Sequence, residues 1–187
     1  VCDMAFLMRS LNNAWKGVAC AGLVALLLAL SCPVFAESLN EQKIKAGLLY
    51  NFLKYTDWPQ SGQKTLNVCL FREDSFEGSL DPLRGRTAQQ YQIAIVRISS
   101  IAQAATCHAI FIPSGESSSV PEILAQVRGK GVLTLSDMRG FARQGGMIEF
   151  TMKDDQRIHI LINRSAVRAA DIRIQSRITR LAETVGP

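Results

Sequence analysis

The chain has 187 residues, 48% of them hydrophobic, and carries 21 basic against 16 acidic side chains, a net charge of +5. That length fits one globular domain, and the mild positive balance excludes the dense basic patches of a nucleic-acid binder.

The first 36 residues are expected to be a secretory signal peptide. Arg9 and Lys16 form a sparse basic region, residues 17–30 are almost unbroken apolar sequence, and Val34-Phe35-Ala36 supplies small residues for a peptidase ahead of Glu37. The apolar run is 14 residues long, whereas a spanning helix needs about 20. Two alternatives stand beside this reading: a retained N-terminal anchor, and lipidation at Cys32, although Ala29-Leu30-Ser31 fits a lipoprotein signal poorly. Cleavage near Ala36 leaves 19 basic and 15 acidic residues in 37–187. Export makes the periplasm the expected location and removes nucleic acid from the expected partners.

Residues 38–55 are predicted to form a helix, capped by Ser38 with Glu41 three residues on, with Ile44, Leu48 and Phe52 facing inward and Leu49 and Tyr55 widening that face. Pro59 ends it, and residues 60–62 turn into a strand over 66–71. A short helix is expected over 74–83, a strand over 93–98, one or two helical turns over 99–105, and a strand over 108–112. A polar loop at 114–119 leads to a helix over 121–127 and a strand over 132–135, then to a brief helix capped by Ser136-Asp137. Gly145-Gly146 breaks that helix. Residues 147–151 and 157–162 alternate polar and apolar side chains across Asp154-Asp155, as a hairpin does. Residues 163–185 read as helical with a break near Asp171, and Ile174, Ile178, Leu181 and Val185 step along the second half. The order implies one α/β domain over 37–187: a single three-layer sandwich, largely parallel, with the C-terminal hairpin at one edge.

Three of the five cysteines lie in the leader, which leaves Cys69 and Cys107. In an oxidising compartment such a pair suggests one disulfide, with two buried free thiols as the alternative. His108 and His159 have no metal-type ligand at chelating spacing except Cys107, which points to the opposite face of a strand from its neighbour. Arg128-Gly129-Lys130-Gly131 is too short for a phosphate loop, and Gly145-Gly146 precedes a strand rather than a helix. No nucleophile, metal set or paired carboxylates converge, so neither an enzyme nor a cofactor is expected.

Two features stand out. Tyr50, Phe52, Tyr55 and Trp58 crowd the exit of the first helix, as core packing or as the cap of a contact patch. Arg173, Arg177 and Arg180 recur at helical steps, as a solvated face or as a docking strip for an acidic partner.

The run Lys45-Ala46-Gly47-Leu48-Leu49-Tyr50-Asn51-Phe52-Leu53-Lys54-Tyr55 closing on Trp58-Pro59 resembles the opening of YfiR-like periplasmic proteins. Val132-Leu133-Thr134-Leu135-Ser136-Asp137, Phe141, Gly145-Gly146-Met147-Ile148 and Ile162-Asn163, leading to Ala169-Ala170, follow in the same order. The resemblance implies a non-enzymatic regulator that binds the periplasmic part of an inner-membrane diguanylate cyclase and represses it, lowering cyclic-di-GMP and biofilm formation. Release through an OmpA-like outer-membrane lipoprotein is implied with it, and a second copy of the chain is a further candidate partner. Cys69 and Cys107 look like one of the family's cysteine pairs. The second pair that some relatives carry around the Gly-Gly segment is absent from residues 145–153. The competing function is a small-molecule sensor, with Trp58 and the arginines forming its pocket.

Overall fold

The computed structural model of the chain describes residues 34–58, 63–152 and 157–185, with side chains from residue 40 onward. The chain divides into two units, residues 1–40 and 41–187. In the first unit only the helical backbone of residues 34–40 is described, so the predicted leader lies outside the described residues except for its last three positions. The turns predicted at 60–62 and Asp154-Asp155 lie outside them too. No helix among the described residues is long and apolar enough to cross a membrane.

Helix α1 covers Val34–Lys54, so Ser38 is inside it rather than at its cap. Its inward face matches the expected one at Leu49 and Phe52 and departs from it at Ile44. Ala46, Leu49, Phe52 and Leu53 are buried, whereas Ile44 is 46% exposed. The stripe is displaced because Lys45 turns inward. Its stem is buried, and its ammonium lies 2.6 Å from Glu41 Oε1 and 3.0 Å from Asp137 Oδ2. Burial disfavours the charged amine, but the hydrogen bond to Glu41 and the charge of Asp137 outweigh it, and the Lys45 pKa is raised.

The strands are β1 (Thr56–Asp57), β2 (Thr65–Phe71), β3 (Thr87–Ala88), β4 (Tyr91–Ile98), β5 (Ala109–Ile112), β6 (Leu133–Ser136), β7 (Ile148–Met152), β8 (Ile158–Asn163), β9 (Arg173–Ile174) and β10 (Glu183–Val185). Eight of them form one sheet in the order β10-β8-β7-β6-β5-β2-β4-β3, while β1 pairs with β9 separately. The central pairs are parallel, from β4 through β2, β5 and β6 to β7. This is the mixed α/β, mostly parallel sheet that the apolar runs imply.

Side chains alternate between two cores. Leu66, Val68, Leu70, Ala109 and Phe111 join α1 in one cluster. Cys69, Phe71, Ile110 and Ile112 join Val120, Ile123 and Val127 of helix α2 (Val120–Val127) in the other. Pro121 opens α2, where its missing N–H costs nothing. Cys69 of β2 is bridged to Cys107, just before β5, with Cα atoms 5.9 Å apart.

The sequence reading needs correction in further places, among them residues 114–119, expected as a loop, which form a 3-10 helix over Ser114–Ser119. β7 and β8 are antiparallel, but they do not form the edge, because β10 runs parallel to β8 outside them. Residues 74–83 make turns and a single 3-10 turn at Asp81–Leu83 rather than a helix. The expected helix after Ser136-Asp137 is a loop: of the two residues expected to cap it, Asp137 bonds elsewhere and Ser136 accepts one bond. Asp137 takes Lys45 and the Ser114 N–H, Ser136 Oγ accepts from Met138 N, and Thr134 Oγ1 accepts from Met147 N. Buried Glu149 closes the loop by accepting from Gly140 N at 2.9 Å and Ala142 N at 3.0 Å. Finally, the C-terminal helix is replaced by helix α3 (Arg164–Ala169), β9, helix α4 (Ser176–Thr179) and β10. Asp171, at φ 54°, reverses the chain after α3. Leu181, expected in the core, is 70% exposed.

Candidate functional site

The site forms where the exit of α1 meets the C-terminal segment. β1 and β9 pair antiparallel, with Thr56 opposite Ile174 and Asp57 opposite Arg173. Two further bonds lock the register: Gln175 N donates to Tyr55 O at 2.9 Å, and Gln175 Nε2 donates to Asp57 Oδ1 at 3.1 Å. Gln89, at φ 55° in the turn between β3 and β4, donates its amide to Lys54 O and Thr56 O, satisfying carbonyls at the helix exit.

This pairing joins the two features that sequence spacing left apart. The Arg177 guanidinium lies 5.7 Å from the Tyr55 ring centroid, and Lys54 Nζ lies 5.6 Å from the same centroid. Cations at this distance are attracted by the ring face. Arg173 is exposed on β9, opposite Asp57 of β1. Arg180 is exposed at the C-terminal cap of α4. The three arginines therefore do not share one helical face: the first is on a strand, the second in a single helical turn, the third at its end. Trp58 is in the core, 6% exposed, with its indole N–H donating to Leu53 O at 2.9 Å. Its ring meets His108 edge-on at 6.3 Å.

A cleft of about 340 Å³ is lined by both residues of β9 and by Ser176 and Thr179 of α4. Its floor is apolar, made by Ile162, Val167 and Ile172, which are all buried, together with Ile174. Its rim is cationic, made by Arg164, Arg168 and Arg173, which are exposed. Asn163 sets the rim by capping α3: its Oδ1 accepts from Ala166 N, and its Nδ2 donates to Ala142 O. An apolar floor with guanidiniums around it suits an aliphatic or aromatic side chain flanked by carboxylates.

The histidines stand apart from this site. His108 Nδ1 accepts from Asn67 N at 3.0 Å, and burial lowers its pKa. His159 Nδ1 lies 3.2 Å from Glu183 Oε1. Among the described residues no cluster of three or more His, Cys, Asp or Glu side chains could hold a metal ion.

Sequence reasoning missed Gln89, Gln175 and the cleft floor. The floor residues are apolar and unremarkable in sequence, and only the strand pairing over a separation of 118 residues brings Gln175 to Asp57.

No curated protein matches the sequence. Among solved structures, one described as the ABC domain in complex with L-Trp from Streptococcus pneumonia is 10% identical, with a TM-score of 0.45. That match covers 64% of this chain, which spans 55% of the other's length. The family model described as YfiR/HmsC-like matches residues 42–183, from the first buried turn of α1 into β10. The chain belongs to the YfiR/HmsC-like family.

Proposed function

We propose that the chain is a periplasmic, non-enzymatic regulator that docks on the periplasmic part of an inner-membrane diguanylate cyclase and represses it. An OmpA-like outer-membrane lipoprotein releases it by competing for the repressor. Family membership and the Cys69–Cys107 bridge, which persists only in an oxidising compartment, both support this reading. The observation that carries it is the β1–β9 pairing, which joins the segment holding Tyr55 to the strand whose Arg173 and Ile174 line an apolar cleft rimmed by Arg164, Arg168 and Arg173. In this reading the signal peptide over residues 1–36 delivers the chain, and a homodimer is a further assembly of the same protein.

The test is genetic and direct. Deleting the gene should raise cyclic-di-GMP, and restoring the exported chain should lower it, whereas the same chain without its leader should not. Arg173→Glu with Arg177→Glu should derepress the cyclase while circular dichroism shows an intact fold. Losing desolvated charge pairs at an interface commonly costs roughly 2 kcal/mol or more. An unchanged cyclic-di-GMP level on deletion overturns the cyclase reading.

The cleft volume also falls within the range of roughly 300–1,000 Å³ that small-molecule sites occupy. That favours, as a second reading, a sensor module for another envelope system. Repression that depends on an added small molecule would separate the two.

A further inference from the structure

A second cleft, of about 410 Å³, lies between the loop after β6 and the strands β7, β8 and β10, and shares no lining residue with the first. The register explains its floor. Glu149 pairs with Leu161, and Leu161 pairs with Glu183, so these three side chains stand in one row across the strands. The cleft opens beyond the carboxyl end of β6, the side on which open α/β sheets bind ligands.

Its wall carries Arg139 and Arg143, both exposed. Among the described residues neither guanidinium has an ion pair or a hydrogen bond, although two carboxylates share the cleft. Both carboxylates are committed. Glu149 is 2% exposed and takes the Gly140 and Ala142 N–H groups, while Glu183 is engaged by His159. The same Glu149 bonds fix the loop that presents the two arginines, so the guanidiniums are held over the cleft by a folded support. Thr151 lines the cleft as well. Its residue is 7% exposed, and its hydroxyl has no hydrogen-bond partner among the described residues. An uncommitted hydroxyl under two uncommitted guanidiniums matches an acceptor-rich, negatively charged group, which guanidiniums bind in bidentate fashion.

We infer that Arg139, Arg143 and Thr151 form a binding site for a small oxyanion, a carboxylate or a phosphate, separate from the docking cleft and independent of the proposed repression. The purified protein should be titrated calorimetrically with succinate and, separately, with inorganic phosphate. Saturable one-to-one binding of either probe is expected, weakening as salt is added. Succinate alone assigns the site to carboxylates, and phosphate alone assigns it to phosphates. Arg139→Gln and Arg143→Gln should each weaken binding about tenfold, the loss of one charge-assisted contact, and the double variant should abolish it. Arg128→Gln, an exposed arginine elsewhere, should bind as wild type does. Thr151→Val keeps every charge and should weaken binding several-fold. Heats no larger than dilution for both probes, or wild-type affinity in the double arginine variant, would overturn the assignment.

Discussion

The Lys45 ammonium is 3.0 Å from Asp137 Oδ2, across 92 residues of sequence, and the other Asp137 oxygen accepts the Ser114 N–H at 2.9 Å. One carboxylate thus ties α1 to the loops that follow β5 and β6. Lys45→Met fills the same space and leaves that largely buried carboxylate without its cation. Breaking one side of a buried pair costs roughly 3–5 kcal/mol, and partial exposure of Glu41 and Asp137 reduces this to about 2–3 kcal/mol. The urea midpoint should fall accordingly, and Lys45→Met combined with Asp137→Asn should recover part of the loss.

Gly146 sits against the fully buried Phe141 ring, and a β-carbon there would come within 2.1 Å of it. Gly146→Ala must therefore move the ring or the backbone, at a cost of roughly 1–3 kcal/mol. A lower melting temperature is expected, and Phe141→Leu in the same chain should relieve part of it. The neighbouring Gly145 is required for a different reason, its φ of 102°.

The Cys69–Cys107 bridge closes a span of 38 residues, which chain-entropy arithmetic values at about 3–4 kcal/mol. Cys69→Ser with Cys107→Ser should melt roughly 10 °C lower. Peptide mapping of the unreduced protein should recover residues 69 and 107 in one cross-linked fragment.

His108 gives the protein a pH response of known sign. Burial lowers its folded pKa below the ordinary 6.5, so in acid the unfolded chain binds a proton that the folded chain resists. The associated stability is present above the unfolded pKa and is lost as pH falls from about 6.5 toward the folded value. His108→Asn retains an acceptor for Asn67 N and cannot titrate. Its urea midpoint should fall less than wild type's between pH 7.5 and pH 5.

β2, β5 and β6 were legible because strands buried on both faces read as apolar runs, β4 because its buried residues largely alternate with exposed ones, and all four lie within one or two residues of expectation. The C-terminal segment was not. Ile174, Ile178 and Leu181 are spaced as on a helix, but pairing with β1 draws Arg173 and Ile174 into a strand. Tertiary pairing overrode the local period. Ile44 failed for another reason: a lysine with two acids in reach can occupy an inward position that hydropathy assigns to an aliphatic residue. Of the candidate surface, sequence pointed to Tyr55, Arg173 and Arg177 separately, and the contact that unites them depends on residues 118 apart.

The two-residue pairing of β1 with β9 also orders events in time. Tyr55 and Asp57 are synthesised more than a hundred residues before their partners Gln175 and Arg173, and contacts so distant in sequence close late in folding. A nascent or truncated chain that stops before Asp171 can build most of the sheet but lacks β9, and with it half of the proposed docking face. If the proposed docking holds, recognition has to wait until β9 has paired with β1.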